Sequence, residues 1–144
     1  MLAWEVFPQP CPYSTIVGDE EVVYPHSQAL PSIELSELLR LEAKYIAYVH
    51  IKNPTLDLTT LHEMVAQVAE YGFDWSTRSC VVSLVCALGA LSEKYILDPN
   101  PLVGGRSEKD AVTAYQYWNL ATKRLGIVTG QSSLEAVQCL CLTG

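Results

Sequence analysis

The chain has 144 residues, of which 49% are hydrophobic and 17% charged. This apolar content is enough for the core of one packed domain, so complete disorder is excluded. Nine Lys and Arg residues oppose sixteen Asp and Glu residues, and the net charge of −7 argues against direct binding to nucleic-acid phosphates. The N-terminus lacks the positive start of a signal peptide, and the longest nearly apolar run, residues 80–91, is too short to span a bilayer. We therefore expect no membrane contact.

Prolines divide the chain into two parts. Residues 1–31 hold five of the eight prolines, which remove amide donors and break helices. We predict an irregular N-terminal lead-in over residues 1–31 and an all-α domain of about five packed helices over residues 32–144.

Apolar residues at three- and four-residue spacing, together with capping residues, place the helices. Helix one is predicted over residues 33–49 with Ser32 as its N-cap. Helix two is predicted over Leu58–Tyr71, with Asp57 or Thr59 as the cap and Gly72 at the C-terminal end. Helix three is expected from a Ser76 cap to about Tyr95.

Ser107 is expected to open helix four and Gly126 to end it, after an apolar stripe that includes Ala114, Tyr115 and Trp118. A capping box in residues 132–135 precedes helix five. Helix three is apolar nearly all round, which predicts that other helices surround it. Helix five is similarly apolar, and the other four helices do not supply enough surface to bury it. We therefore expect the chain to be the front part of a larger helical domain.

The cysteines indicate a reducing compartment. Their number is odd, five, and four of them lie within apolar helical patterns, as is typical of free buried thiols in an intracellular protein. Cys139 and Cys141 are two positions apart on a helix, so their side chains point in different directions and neither share a metal nor form a disulfide while helical.

Four other groups contain residue types found in reactive or binding sites, and core or surface roles are favoured for each. His50 and His62 lack the paired short spacing of a zinc site. Cys80, near Arg78, has no accompanying oxyanion loop. Residues 104–107 precede a helix, as in an anion site, but lack the phosphate-loop spacing and are followed by Glu108 and Asp110. We expect no catalytic, cofactor-binding or metal-binding residues.

The aromatic residues of helix four are the remaining candidates, because stacked bases need aromatic side chains among basic ones. Tyr115 and Trp118 are predicted to pack in the core, and Tyr117 to lie at the surface. The outer face of helix four is predicted to be solvated, because it carries Lys109, Lys123 and Arg124 among acidic neighbours.

Four segments, read together, resemble the middle homology, or regulatory, domain of fungal binuclear zinc-cluster transcription factors. They occur in the family's order over roughly residues 40–144. The first segment is Tyr48-Val49-His50-Ile51-Lys52-Asn53-Pro54-Thr55-Leu56-Asp57, resembling V-H-x-x-N-P-x-L-D, and the second is Trp75 with the apolar residues 79–90. The third runs from Ala114-Tyr115 through Ala121-Thr122-Lys123-Arg124-Leu125-Gly126, resembling A-x-x-Y-W-x-x-A-x-K-R-L-G. The fourth is residues 133–142, resembling S-x-x-x-V-Q-x-L-L-L.

The resemblance implies an all-α regulatory domain of a nuclear regulator of RNA polymerase II transcription, acting through protein contacts or an effector. In this family, a separate six-cysteine module with two zinc ions contacts DNA. The five cysteines here do not match its spacing, so no zinc ligand or DNA-contacting residue is carried over, and no cofactor is expected in this chain.

Two alternatives stay open. One is a helical scaffold or protein-interaction domain unrelated to transcription, although no 34-residue repeat is present. The other is a small helical enzyme that uses Cys80 with His50 or His62.

Overall fold

The computed structural model describes residues 29–92 and 108–144, and within them the chain forms five α-helices and no strand. The all-α prediction is therefore confirmed. The helices are α1 Leu35–Tyr45, α2 Leu58–Tyr71, α3 Thr77–Leu91, α4 Glu108–Val128 and α5 Leu134–Thr143, and a π-helical turn, Ile46–His50, continues α1. Most of the predicted lead-in and the segment 104–107 lie outside the described residues.

Side-chain caps begin three of the helices, two of them where the sequence predicted the cap. Each cap accepts a hydrogen bond from the backbone N–H three residues further on, which satisfies one of the free donors of the first turn. The pairs are Asp57 with Thr60 at 2.8 Å, Ser76 with Ser79 at 3.2 Å and Ser133 with Ala136 at 3.2 Å. Gly72 ends α2 with a φ of 82°, in the left-handed region that favours glycine.

Four predicted helix boundaries were wrong. Helix α1 begins after Glu34, because the Ser32 hydroxyl accepts from Glu34 N–H before the helix starts. Helix α3 ends at Leu91, since Ser92 is extended and its hydroxyl donates to the Gly89 carbonyl at 2.9 Å. Helix α4 continues through Gly126 to Val128. The cap of α5 is Ser133, so the predicted capping box of residues 132–135 is out of register.

Helix α3 is the centre of the fold, as its apolar sequence predicted. Twelve of its 15 residues are buried, and it packs against α1, α2, α4 and α5, most extensively against α4. Gly89 lets α1 approach closely: a Cβ at this position would overlap the carbonyl of Leu41 on α1. The core cluster thus gathers around a helix that is covered on nearly every side.

The buried face of α4 differs from the predicted one. Tyr117 is fully buried, and its hydroxyl donates to the Ser32 carbonyl at 2.6 Å, whereas Trp118 is exposed. Arg124, predicted at the solvated face with Lys123, is buried. Because Tyr117 and Arg124 follow Ala114 at helical spacing, they lie on the face toward α3, and that packing turns Trp118 outward.

Candidate interaction surface

Helix α5 is fixed on the core by one side of its surface. Ala136, Cys139 and Leu142 recur every three residues and are buried, mainly against α3. Gln138 Nε2 donates to the carbonyl oxygen of Thr55 at 3.0 Å, which joins α5 to the loop before α2. These contacts set the rotation of the helix about its axis.

The opposite side of α5 is apolar and exposed. Leu134, Val137 and Leu140 are 72%, 56% and 46% exposed, and Cys141 is also exposed. At 3.6 residues per turn these four residues lie within an arc of about 120°. We call them the α5 face. A soluble helix ordinarily directs such a stripe toward a partner, so the α5 face is the candidate interaction surface.

A small groove borders the α5 face. Its volume is about 90 Å³, and it lies between the start of α5 and the start of α2. Leu134 and Gln138 form one wall, and Leu56, Thr60 and Met64 form the other. A groove of this size admits one small side chain of a partner rather than a drug-sized ligand.

Arg124 anchors the loop between α2 and α3 to α4. Its guanidinium donates to the carbonyls of Asp74 at 2.5 Å, Phe73 at 3.1 Å and Leu120 at 2.7 Å. Its Cζ atom also lies 5.1 Å from the ring centroid of Trp75, a cation–π contact. Burial lowers the pKa of Arg124, and the neighbouring Cys80 and Asp74 oppose that shift. The loop therefore depends on a cation that the sequence suggested was solvated.

The Asp74 carboxylate organises the same loop. Its Oδ1 accepts from the hydroxyls of Ser76 and Ser79, both at 2.5 Å, and from Ser76 N–H at 3.0 Å. These hydrogen bonds, with a smaller contribution from Arg124, hold the pKa of Asp74 below its ordinary value of 3.8. Because the folded pKa is below the unfolded one, this carboxylate stabilises the fold at neutral pH, and that stability is lost as the pH falls through the folded pKa.

We expect Asp74→Asn to reduce the free energy of unfolding at neutral pH by no more than about 1 kcal/mol, because solvent screens this exposed carboxylate. The difference from the unmodified protein should shrink as the pH falls below 3.8, the ordinary pKa of the group. Urea unfolding at a series of pH values measures it. Glu70→Gln, at an exposed α2 position, is the control. A difference that stays constant with pH would show that the hydrogen-bonded charge is not responsible.

The two candidate histidines, His50 and His62, take separate partners. The His50 ring packs against Tyr45, with centroids 6.0 Å apart, and His62 Nδ1 lies 3.4 Å from Oε2 of the buried Glu42. Across residues 29–92 and 108–144, no group of three His, Cys, Asp or Glu side chains is arranged to hold a metal ion.

The cysteines divide by burial. Cys80, Cys86 and Cys139 are buried, and Cys141 is exposed, so Cys139 and Cys141 point to different sides of α5 as predicted. The Cys80 thiol donates to the Ala121 carbonyl at 3.7 Å, and the described residues give it no histidine partner. The enzyme alternative, which needs a base beside Cys80, gains no geometric support here.

Two residues that position this region were not predicted as such. Gln138 and Arg124 both stand within the motif segments, and each donates to a loop carbonyl from another part of the chain. The signal available in the sequence was that both residues are polar but stand at helical spacing from buried ones. A buried polar side chain needs a hydrogen-bond partner, which predicts such a contact.

No protein-family model matches this chain, and neither a curated protein nor a solved structure shows significant similarity to it. None of the helices in the described part combines the length and apolarity that a membrane-spanning helix requires.

Proposed function

We propose that this chain is the regulatory region of a fungal zinc-cluster transcription factor, and that it acts in the nucleus through protein contacts made by the α5 face. The transcriptional part of the proposal comes from the four segments that resemble the family domain. The protein-contact part is carried by one observation: one side of α5 presents four apolar residues to solvent, within a single arc of the helix.

Contacts between the resembling segments support treating them as one unit. Gln138, in the last segment, donates to the carbonyl of Thr55 in the first. Arg124, in the third, lies over the ring of Trp75 in the second. The apolar helix of the second segment, α3, packs against the helices that carry the third and fourth. Segments that occur together in one family because they build one domain are expected to contact one another in this way.

The α5 face suits a helical or loop partner with apolar side chains. Its four members carry no charge, and the groove beside Leu134 offers a place for one inserted side chain. Interface energy is concentrated in a few such buried apolar contacts, surrounded by weaker ones. Regulation then depends on whether a partner occupies the face.

The test fuses the chain to an unrelated DNA-binding domain in a fungal cell that carries a matched reporter gene. We expect the fused chain to change reporter output relative to the DNA-binding domain alone. Val137→Glu places a charge in the centre of the α5 face and should weaken partner binding at least about tenfold. Reporter output should then return toward that of the DNA-binding domain alone.

Ala66→Glu is the matched control, because it introduces the same charge at an exposed position on α2. Circular dichroism should show that both variants stay folded. Reporter output equal to that of the DNA-binding domain alone would contradict the transcriptional role. An equal response to both variants would contradict the α5 face, and a partner captured without any reporter effect would favour the unrelated scaffold.

A further inference from the structure

Two adjoining grooves lie between α2 and the start of α3. One, of about 440 Å³, follows α2 from Thr60 to Tyr71, and the other, of about 390 Å³, continues over the loop to the first turn of α3. Gln67, Tyr71 and Arg78 line both grooves, so the two form one surface, which we call the α2 groove. Its size admits several side chains of a peptide segment, in contrast to the small groove beside the α5 face.

Three carboxylates line the α2 groove. Glu63 and Glu70 are seven residues apart, so they project from the same side of α2, about 10 Å apart along its axis. Both are exposed, and neither forms an ion pair or hydrogen bond with another described residue. Asp74 lines the second groove, and its Oδ1 accepts three hydrogen bonds whereas its Oδ2 accepts none from the described part of the chain. Among the lining residues, Arg78 alone opposes this negative charge.

The C-terminal end of α2 adds to the negative potential. The last turn of a helix carries a partial negative charge, which a nearby cation stabilises. Helix α2, Leu58–Tyr71, contains no Lys or Arg, and its last turn holds no basic residue. A cation supplied by a partner would therefore complement both the helix end and the carboxylates.

An exposed aromatic ring lies where the two grooves meet. The Tyr71 side chain is 76% exposed, and none of the described residues forms a ring contact or cation–π contact with it. Ammonium and guanidinium groups bind to the open face of such a ring. The neighbouring Arg78 is held by Gln67 instead, because its Nη1 donates to Oε1 of Gln67 at 3.4 Å.

We propose that the α2 groove binds a basic peptide segment of a partner protein, with two Lys or Arg side chains about 10 Å apart. One cation pairs with Glu63, and the other pairs with Glu70 beside the Tyr71 ring. Charge complementarity selects a basic segment over an acidic one, and the net charge of −7 steers such a partner toward the chain. This surface is distinct from the α5 face and does not depend on the proposed function.

Titration with a short lysine peptide tests the proposal. A peptide of four lysines, acetylated and amidated at its ends, places its first and last side chains about 10 Å apart when extended. It is added to the isotope-labelled full chain, and amide chemical shifts are followed by NMR. We expect the shift changes to centre on α2 and the first turn of α3. Binding should weaken at least about tenfold between about 0.05 M and 0.5 M NaCl, because salt screens exposed charges. A peptide of four glutamates should leave the spectrum unchanged.

Three variants locate the site. Glu70→Lys should weaken binding of the lysine peptide at least about fivefold, since an attraction becomes a repulsion. Glu34→Lys is the matched control, because it makes the same charge change at an exposed position before α1, and its effect should stay below about twofold. Arg78→Gln should strengthen binding, because it removes the cation that opposes the peptide.

An unchanged spectrum with the lysine peptide would overturn the proposal. Shift changes spread evenly over the acidic surface would do the same, as would an equal loss of binding in Glu70→Lys and Glu34→Lys or weaker binding in Arg78→Gln. The shift map of the unmodified chain decides the location even if a variant fails to fold.

Discussion

Gly89→Ala is expected to destabilise the protein by about 3 kcal/mol or more, at the upper end of what overpacking costs. The new Cβ would overlap the carbonyl oxygen and carbon of Leu41, and both are backbone atoms of α1 that cannot rotate away. Alanine is favoured over glycine within a helix by about 1 kcal/mol, so the steric conflict must outweigh that gain. Urea unfolding followed by circular dichroism measures the difference.

Gly126→Ala is the matched control and should change stability in the opposite direction. Gly126 also lies within a helix, α4, but a Cβ there would meet nothing within 4 Å. The helix preference of alanine then acts alone, and we expect a gain of about 0.5–1 kcal/mol. If both variants stabilise the protein, the close contact between α1 and α3 is not as the structure has it.

Arg124→Ala is expected to cost about 3 kcal/mol of stability, the upper value for the loss of hydrogen bonds from a charged group. Two of the three carbonyls that Arg124 satisfies, those of Phe73 and Asp74, belong to the loop between α2 and α3. Hydrogen bonds to a charged group are among the stronger ones, and their loss leaves these acceptors without a donor. The Trp75 ring also loses its cation, so its fluorescence should change together with the unfolding midpoint.

Lys123→Ala serves as the control, because Lys123 is the exposed neighbour with the same charge. Its effect should stay within about 0.5 kcal/mol. Arg124→Lys should fall between the two, since an ammonium group lacks the planar fork that reaches carbonyls of two elements at once. An equal loss for Lys123→Ala and Arg124→Ala would show that net charge, rather than the loop anchor, determines the effect.

The buried Arg124 explains an error in the sequence-based assignment of α4. Hydropathy grouped Tyr115 and Trp118 with the core and placed Arg124 in solvent, because arginine is seldom buried. Ala114, Tyr117, Ala121, Arg124 and Val128 nonetheless form a regular three- and four-residue repeat, and all five are buried. On this helix the spacing of these five residues predicts the buried face better than hydropathy does. Arg124 can be buried at little cost in free energy because its guanidinium donates to carbonyls.

The candidate surface could be anticipated only in part. The apolar sequence of helix five predicted an excess of apolar surface, and the structure locates it at Leu134, Val137, Leu140 and Cys141. Which side of the helix is exposed depended on contacts with Thr55 and Thr77, more than fifty residues earlier in the chain. No local pattern contains that information.

The sequence by itself determined the helical class, the positions of α2 and α5, and the caps Asp57 and Ser76. Capping and periodicity act over three or four residues, so they can be predicted from residues close together in the sequence. Only the tertiary structure decided that Gly89 meets Leu41 and that Arg124 holds the α2–α3 loop. Those contacts join distant parts of the chain, and packing the helices around α3 is what brings them together.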